Sequence, residues 1–169
     1  MTTKKEINLA LVGLGFGAEF VPIYIHHPLI KSLTICDSDK KVLDTVGDRF
    51  QVTNRTTNLD EILKNDGIDA VHLVTPIPFH AQQTIAVLKS GKHCACTVPM
   101  AISVKDLFAI LDAQRVCHKI YMGMETAVYT RRFMYAQEML SNDEIGRIQF
   151  LRGAHYQDME KWPPYWMGL

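Results

Sequence analysis

The chain has 169 residues, 47% hydrophobic and 21% charged, a balance that supports a packed core and argues against disorder. Lys plus Arg equals Asp plus Glu at 18 each, so no net field draws in nucleic acid or an anionic membrane. No apolar run approaches the ~20 residues of a spanning helix, and the opening MTTKKEIN holds no signal-peptide apolar stretch, which points to the cytoplasm.

An apolar strand is expected over residues 7–12, followed at once by Gly13-Leu14-Gly15-Phe16-Gly17-Ala18. This fits G-x-G-x-x-[GA] between a strand and a helix, the signature of a dinucleotide-binding turn. Gly13 permits the tight turn, Gly15 lets backbone approach a pyrophosphate, and Ala18 is small enough for close helix packing. Phe16 and Gly17 complete the turn. The helix expected over residues 15–26 would offer free amides and a positive dipole end to the phosphates. Pro22 lies inside it and should shorten or kink it. His26 and His27 precede Pro28, where they suit C-terminal capping better than catalysis.

A second strand over residues 32–36 ends at Asp37, twenty-four residues beyond Gly13. A carboxylate there can accept hydrogen bonds from the adenine ribose and would repel a 2′-phosphate, which favours NAD over NADP. Helices follow over residues 39–49 and 58–64, the latter opened by Asn58 with Glu61 as a capping-box partner. The strand over 70–75 leads into Thr75-Pro76-Ile77-Pro78-Phe79-His80 and a helix over 79–90. In a parallel sheet, ligands sit beyond the carboxyl ends of strands, so Thr75 and Pro76 form a wall beside the cofactor. His80 could touch a ribose or the nicotinamide, or only cap its helix.

The helix stops at Lys89-Ser90-Gly91-Lys92, and a strand over 93–98 brings Thr97 to the same ligand edge. A helix over 103–118, with Ser103 and Asp106 as a weaker capping pair, precedes a strand over 120–123. Glu125 then faces the cofactor edge as a lesser candidate, while His72 and His93 read as core or sheet-end residues. Continuous apolar runs alternating with helices predict an α/β fold, a Rossmann-type doubly wound parallel sheet. Cys36, Cys94, Cys96 and Cys117 read as small hydrophobes in a reduced cell, because no second pair has metal-ligand spacing.

After Gly123 the pattern changes to a helix over 130–140, a turn at 141–143 and an alternating strand over 147–156. The aromatic tail with Trp162, Tyr165 and Trp166 ends an α+β second domain that has begun and not finished. The division is therefore residues 1–125, an NAD(P)-binding Rossmann domain, and 126–169, the start of a truncated substrate or dimerisation domain. An unpaired strand edge and an exposed aromatic tail predict a homo-oligomer formed through residues 147–169.

At these residues the chain resembles the Gfo/Idh/MocA oxidoreductases, the family of glucose–fructose oxidoreductase and inositol dehydrogenase. The matching pieces are residues 10–18 (ALVGLGFGA), Ile35-Cys36-Asp37, 69–80 (DAVHLVTPIPFH), 90–99 (SGKHCACTVP) and 144–148 (EIGRI). The resemblance implies a Rossmann domain followed by an open, mostly antiparallel sheet domain that binds substrate and often makes the dimer contact. It implies hydride transfer between a nicotinamide cofactor and a sugar, cyclitol or related polyol. Where the family usually carries Glu-Lys-Pro, this chain has Thr97-Val98-Pro99. Valine can neither donate a hydrogen bond nor carry charge, so the usual help at a developing alkoxide is missing. His155 and Asp158 do not match the family's acid/base motif. These departures leave the catalytic residues unassigned and set a second expectation beside the first: a non-catalytic NAD(H)-binding relative acting as sensor or partner subunit.

Overall fold

A computed structural model describes residues 6–154 together with Tyr156 and Glu160. Two compact units divide the chain, Met1–Glu125 and Thr126–Leu169.

The first unit is built on six strands: β1 (Ile7–Val12), β2 (Ile30–Cys36), β3 (Arg55–Thr56), β4 (Ala70–Leu73), β5 (His93–Thr97) and β6 (Tyr121–Met124). All pair in parallel, in the order β3-β2-β1-β4-β5-β6, so the chain reverses its direction of travel between β1 and β4. That reversal is the switch point where α/β sheets bind ligands. The helices are α1 (Val21–Ile25), α2 (Lys40–Phe50), α3 (Leu59–Lys64), α4 (His80–Lys89) and α5 (Val104–Cys117). Alternate residues of β1 feed two cores, as strand geometry requires. Leu9 and Leu11 pack with Leu33, Ile35, Leu43 and Val46 on the α1–α2 side. Ala10 and Val12 pack with Leu73, Cys96, Ile62 and Val87 on the side of α3 and α4.

Local chemistry sets the element ends. Asp39 accepts from the amides of Lys41 and Val42 at 2.8 and 3.4 Å and starts α2. Ser103 accepts the Asp106 amide at 3.1 Å and donates to its carboxylate at 2.7 Å, a local variant of the capping box. Gly91 takes φ +81°, ending the stop after α4. Asn58 caps α3 through the Asp60 amide at 2.9 Å. Glu61 does not close the expected box, because it accepts the Thr56 hydroxyl at 2.6 Å while that oxygen accepts the Asn58 amide at 3.0 Å.

One sequence expectation is corrected, one is met, and one strand is added to those expected. The first helix is a 3₁₀ turn over Gly17–Phe20 followed by the five-residue α1, so its dipole is small. Pro22 sits in the first turn of α1, where a missing amide costs nothing, and His26 donates to its carbonyl at 2.7 Å. Strand β3 lacked any sequence signal, being two polar residues long and held by pairing to Ile35 and Cys36.

In the second unit a 3₁₀ turn over Thr126–Tyr129 precedes α6 (Arg131–Ser141), whose Thr130 hydroxyl accepts the Phe133 amide at 3.4 Å. The strand expected over residues 147–156 is not formed among the described residues. Alternation supplies two faces, but a strand exists only where a neighbour completes its hydrogen bonds. His155, Asp158, Trp162, Tyr165 and Trp166 lie outside the described residues.

Candidate cofactor site

The turn after β1 is shaped by close approach of β4. Gly13 has φ +88°, and a Cβ there would stand 2.6 Å from the Val74 carbonyl oxygen. Only glycine fits both constraints. Its amide donates to the Cys36 carbonyl at 2.8 Å, anchoring the turn to the end of β2. Leu14 is buried in the core, and its amide donates to Asp37 Oδ2 at 2.7 Å.

The next three amides behave differently. Those of Gly15, Phe16 and Gly17 donate to no other described residue, whereas the Ala18 and Glu19 amides already close turns onto Leu14 and Phe16. A Cβ on Gly15 would meet nothing within 4 Å. Three successive unpaired amides beside open space form a nest that suits an anion, and the dipole of a five-residue helix adds little to it. A pyrophosphate fits this cradle. Gly17 is buried, with Val74 Cβ 3.4 Å from a built Cβ, so its small size lets the turn settle on β4. Ala18 packs against the α1–α2 core. Phe16 is exposed and meets Phe20 edge to face at 5.8 Å.

Asp37 accepts from Leu14 through Oδ2 and from the Asp39 amide through Oδ1 at 2.9 Å. The two contacts fix the carboxylate plane and leave each oxygen a further lone pair for a ribose hydroxyl. A fixed negative group there opposes a second phosphate.

Beyond β4 and β5 the polar groups are committed internally. The Thr75 hydroxyl donates to Gln83 Oε1 at 2.5 Å, and the Thr97 hydroxyl donates to the Leu73 carbonyl at 3.2 Å. Pro76 is exposed on the rim. His80, expected at the cofactor or as a cap, turns both ring nitrogens onto backbone carbonyls. It is 1% exposed, with Nε2 2.7 Å from the Thr75 carbonyl oxygen and Nδ1 2.8 Å from that of Pro99. The residue at the α4 N-cap is Phe79, with no side-chain cap. Val98 is 47% exposed.

The remaining titratable candidates belong to the core. His72 is fully buried with Nδ1 2.8 Å from the Tyr24 hydroxyl, and burial lowers its pKa to about 4, so it is neutral at pH 7. His93 accepts the Ile120 amide at 3.0 Å at the sheet end. Burial pushes the Cys36 and Cys94 thiols up to about 12 and Cys96 to about 11, which leaves them as inert packing groups. Among the described residues no group of three or more His, Cys, Asp or Glu is placed to hold a metal ion. Also among the described residues, no helix is long and apolar enough to cross a membrane.

Residues 7–124 match the family model for the Gfo/Idh/MocA oxidoreductase family, NAD-binding Rossmann fold. The chain belongs to this family. The resemblance first carried by the glycine turn and the strand ends thus extends over the whole first unit. Among curated relatives, a glycosyl hydrolase family 109 protein from Shewanella baltica is 26% identical over 181 residues, covering 95% of this chain and 39% of that protein. The chain thus spans about two fifths of the length of the curated relatives it matches. Among solved structures, scyllo-inositol dehydrogenase from Lactobacillus casei with bound NAD(H) and scyllo-inositol superposes with TM-score 0.78 at 22% identity, over 85% of this chain and 43% of that one. Levoglucosan dehydrogenase in complex with NADH and levoglucosan gives TM-score 0.74 at 25% identity, over 85% and 41% respectively. The fold class is the Rossmann-type parallel sheet of this family.

Proposed function

We propose that this chain binds NAD(H) across the carboxyl ends of its strands and serves an oxidoreductase that moves hydride between nicotinamide and a hydroxyl of a sugar, cyclitol or related polyol. The observation that carries this is the cradle of three amides, Gly15 to Gly17, opening beside the fixed carboxylate of Asp37. Bound nicotinamide supplies the hydride acceptor or donor. The chain's part is to hold and orient. The amides neutralise the pyrophosphate, Asp37 selects the ribose of NAD over NADP, and the Thr75–Pro76 and Thr97 loops wall the nicotinamide half. The carbohydrate-directed names of the relatives support a polyhydroxylated substrate. The 126–169 unit is proposed to begin the substrate or dimerisation region.

Val98 favours a second proposal, an NAD(H)-binding relative without turnover. It stands exposed where the family resemblance puts a lysine, and it supplies neither charge nor donor. Titrating the chain with NADH while following nicotinamide fluorescence tests the shared claim; saturable binding is expected, and no binding rejects both proposals. Assaying a panel of polyols, sugars and glycosides then separates them, since turnover on any polyol supports the enzyme and binding without turnover supports the second.

The free cysteines among the described residues support a reducing, cytoplasmic location. Self-association through 147–169 stays a proposal, now resting on the exposed Phe150, Leu151 and Tyr156 rather than on a strand edge. Light scattering should give a mass above the monomer, and a monomer at all concentrations rejects it.

A further inference from the structure

We propose that His80 is a positioning residue, a two-ended clasp that fixes the nicotinamide wall of the crevice without touching the cofactor. His80 opens α4, yet its ring reaches the carbonyl oxygens of Thr75, just after β4, and Pro99, just after β5. These carbonyls lie 5 and 19 residues away in sequence, on the two loops that bound this half of the crevice. A carbonyl oxygen can only accept, so the ring donates to whichever loop faces its N–H, and to both loops at once when each nitrogen carries a proton. Nitrogens at two corners of one planar ring reach both loops together. An Asn amide carries its donors on one nitrogen of a shorter side chain, in place of the ring's two separated nitrogens.

The first turns of α4 hold the same loop a second time, since Gln83 accepts the Thr75 hydroxyl at 2.5 Å. Thr97 adds a strand-to-strand tie through the Leu73 carbonyl. With Asp37 and the adenine ribose at the β2 end, the nicotinamide half of a dinucleotide falls on the β4–β5 side. The clasp therefore acts on one half of the ligand and leaves the amide cradle untouched.

This inference rests on NAD(H) binding as proposed above, and one experiment separates the two. The Kd for NADH and for ADP-ribose, which has the pyrophosphate and adenosine but no nicotinamide, is measured for the wild-type chain, His80→Asn and Gln83→Leu. Wild type should bind NADH more tightly than ADP-ribose. His80→Asn should weaken NADH about tenfold, the scale of a lost buried hydrogen bond, and Gln83→Leu about threefold. ADP-ribose affinity should stay within about twofold in both variants. General damage to the fold would weaken both ligands alike, and that result overturns the clasp, as does unchanged NADH binding. If His80→Asn does not fold, as judged by its melting curve, Gln83→Leu alone decides by the same criterion. Wild-type protein that binds neither ligand overturns the proposed function and the clasp with it. Wild-type protein that binds both equally well overturns the clasp alone.

Discussion

The two halves of the first unit spend their polar groups in opposite ways. On the β1–β2 side the turn keeps three amides unspent and a carboxylate with spare lone pairs. On the β4–β5 side Thr75, Thr97 and His80 direct their polar atoms at the protein's own groups. One half is poised to recognise, the other to stay rigid. Affinity should then depend on backbone and Asp37, while side chains of the second half set where the nicotinamide lies.

The strongest way to break this comparison is at Gly13. Gly13→Ala forces a residue into φ +88° and drives a Cβ to 2.6 Å from the Val74 carbonyl oxygen, so denaturant unfolding should show a loss of about 3 kcal/mol or more. A change within about 0.5 kcal/mol would mean that β4 does not press on the turn.

The next effect concerns the core beneath both halves. Burial holds the His72 pKa at about 4 against 6.5 when unfolded, so below 6.5 the unfolded chain binds the extra proton first. Its contribution is complete above about pH 6.5 and is lost as pH falls toward 4, amounting to about 2 kcal/mol between pH 7 and pH 5. His72→Leu should flatten that part of the stability profile; an unchanged slope would assign it to other groups.

Asp37→Ala disturbs the turn for any ligand, because Leu14 and Asp39 lose their acceptor. The ribose contact appears only in the difference between cofactors. NADH should weaken about thirtyfold, and NADPH by clearly less. Equal losses would place Asp37 away from the ribose. Gly15→Ala is the mildest change. Its Cβ meets nothing within 4 Å, so the melting temperature should hold while NADH binding drops about tenfold through crowding of the cradle. A variant that binds normally would move the pyrophosphate elsewhere.

Much of this arrangement was legible in the sequence, where one local pattern settled the outcome. Continuous apolar runs marked β1, β2, β4 and β5, and Asn58, Ser103 and Gly91 marked helix ends, because capping and left-handed turns act over a few residues. Features decided by distant partners were not legible. Arg55–Thr56 is a strand only because β2 lies beside it, and the alternation over residues 147–156 gave no strand among the described residues. His80 shows the limit most clearly: one of its two partners is a backbone carbonyl 19 residues away, which no side-chain pattern reports. Glu61 likewise turned from the capping box to Thr56 once β3 supplied that hydroxyl.

The central claim is that the amides of Gly15, Phe16 and Gly17 receive the pyrophosphate. Titrating ¹⁵N-labelled protein with NADH and following backbone amide resonances tests it directly. Those three amides should show the largest saturable shifts, and ADP-ribose should reproduce them. Saturation with these resonances unmoved, and the changes gathered elsewhere, would contradict the account.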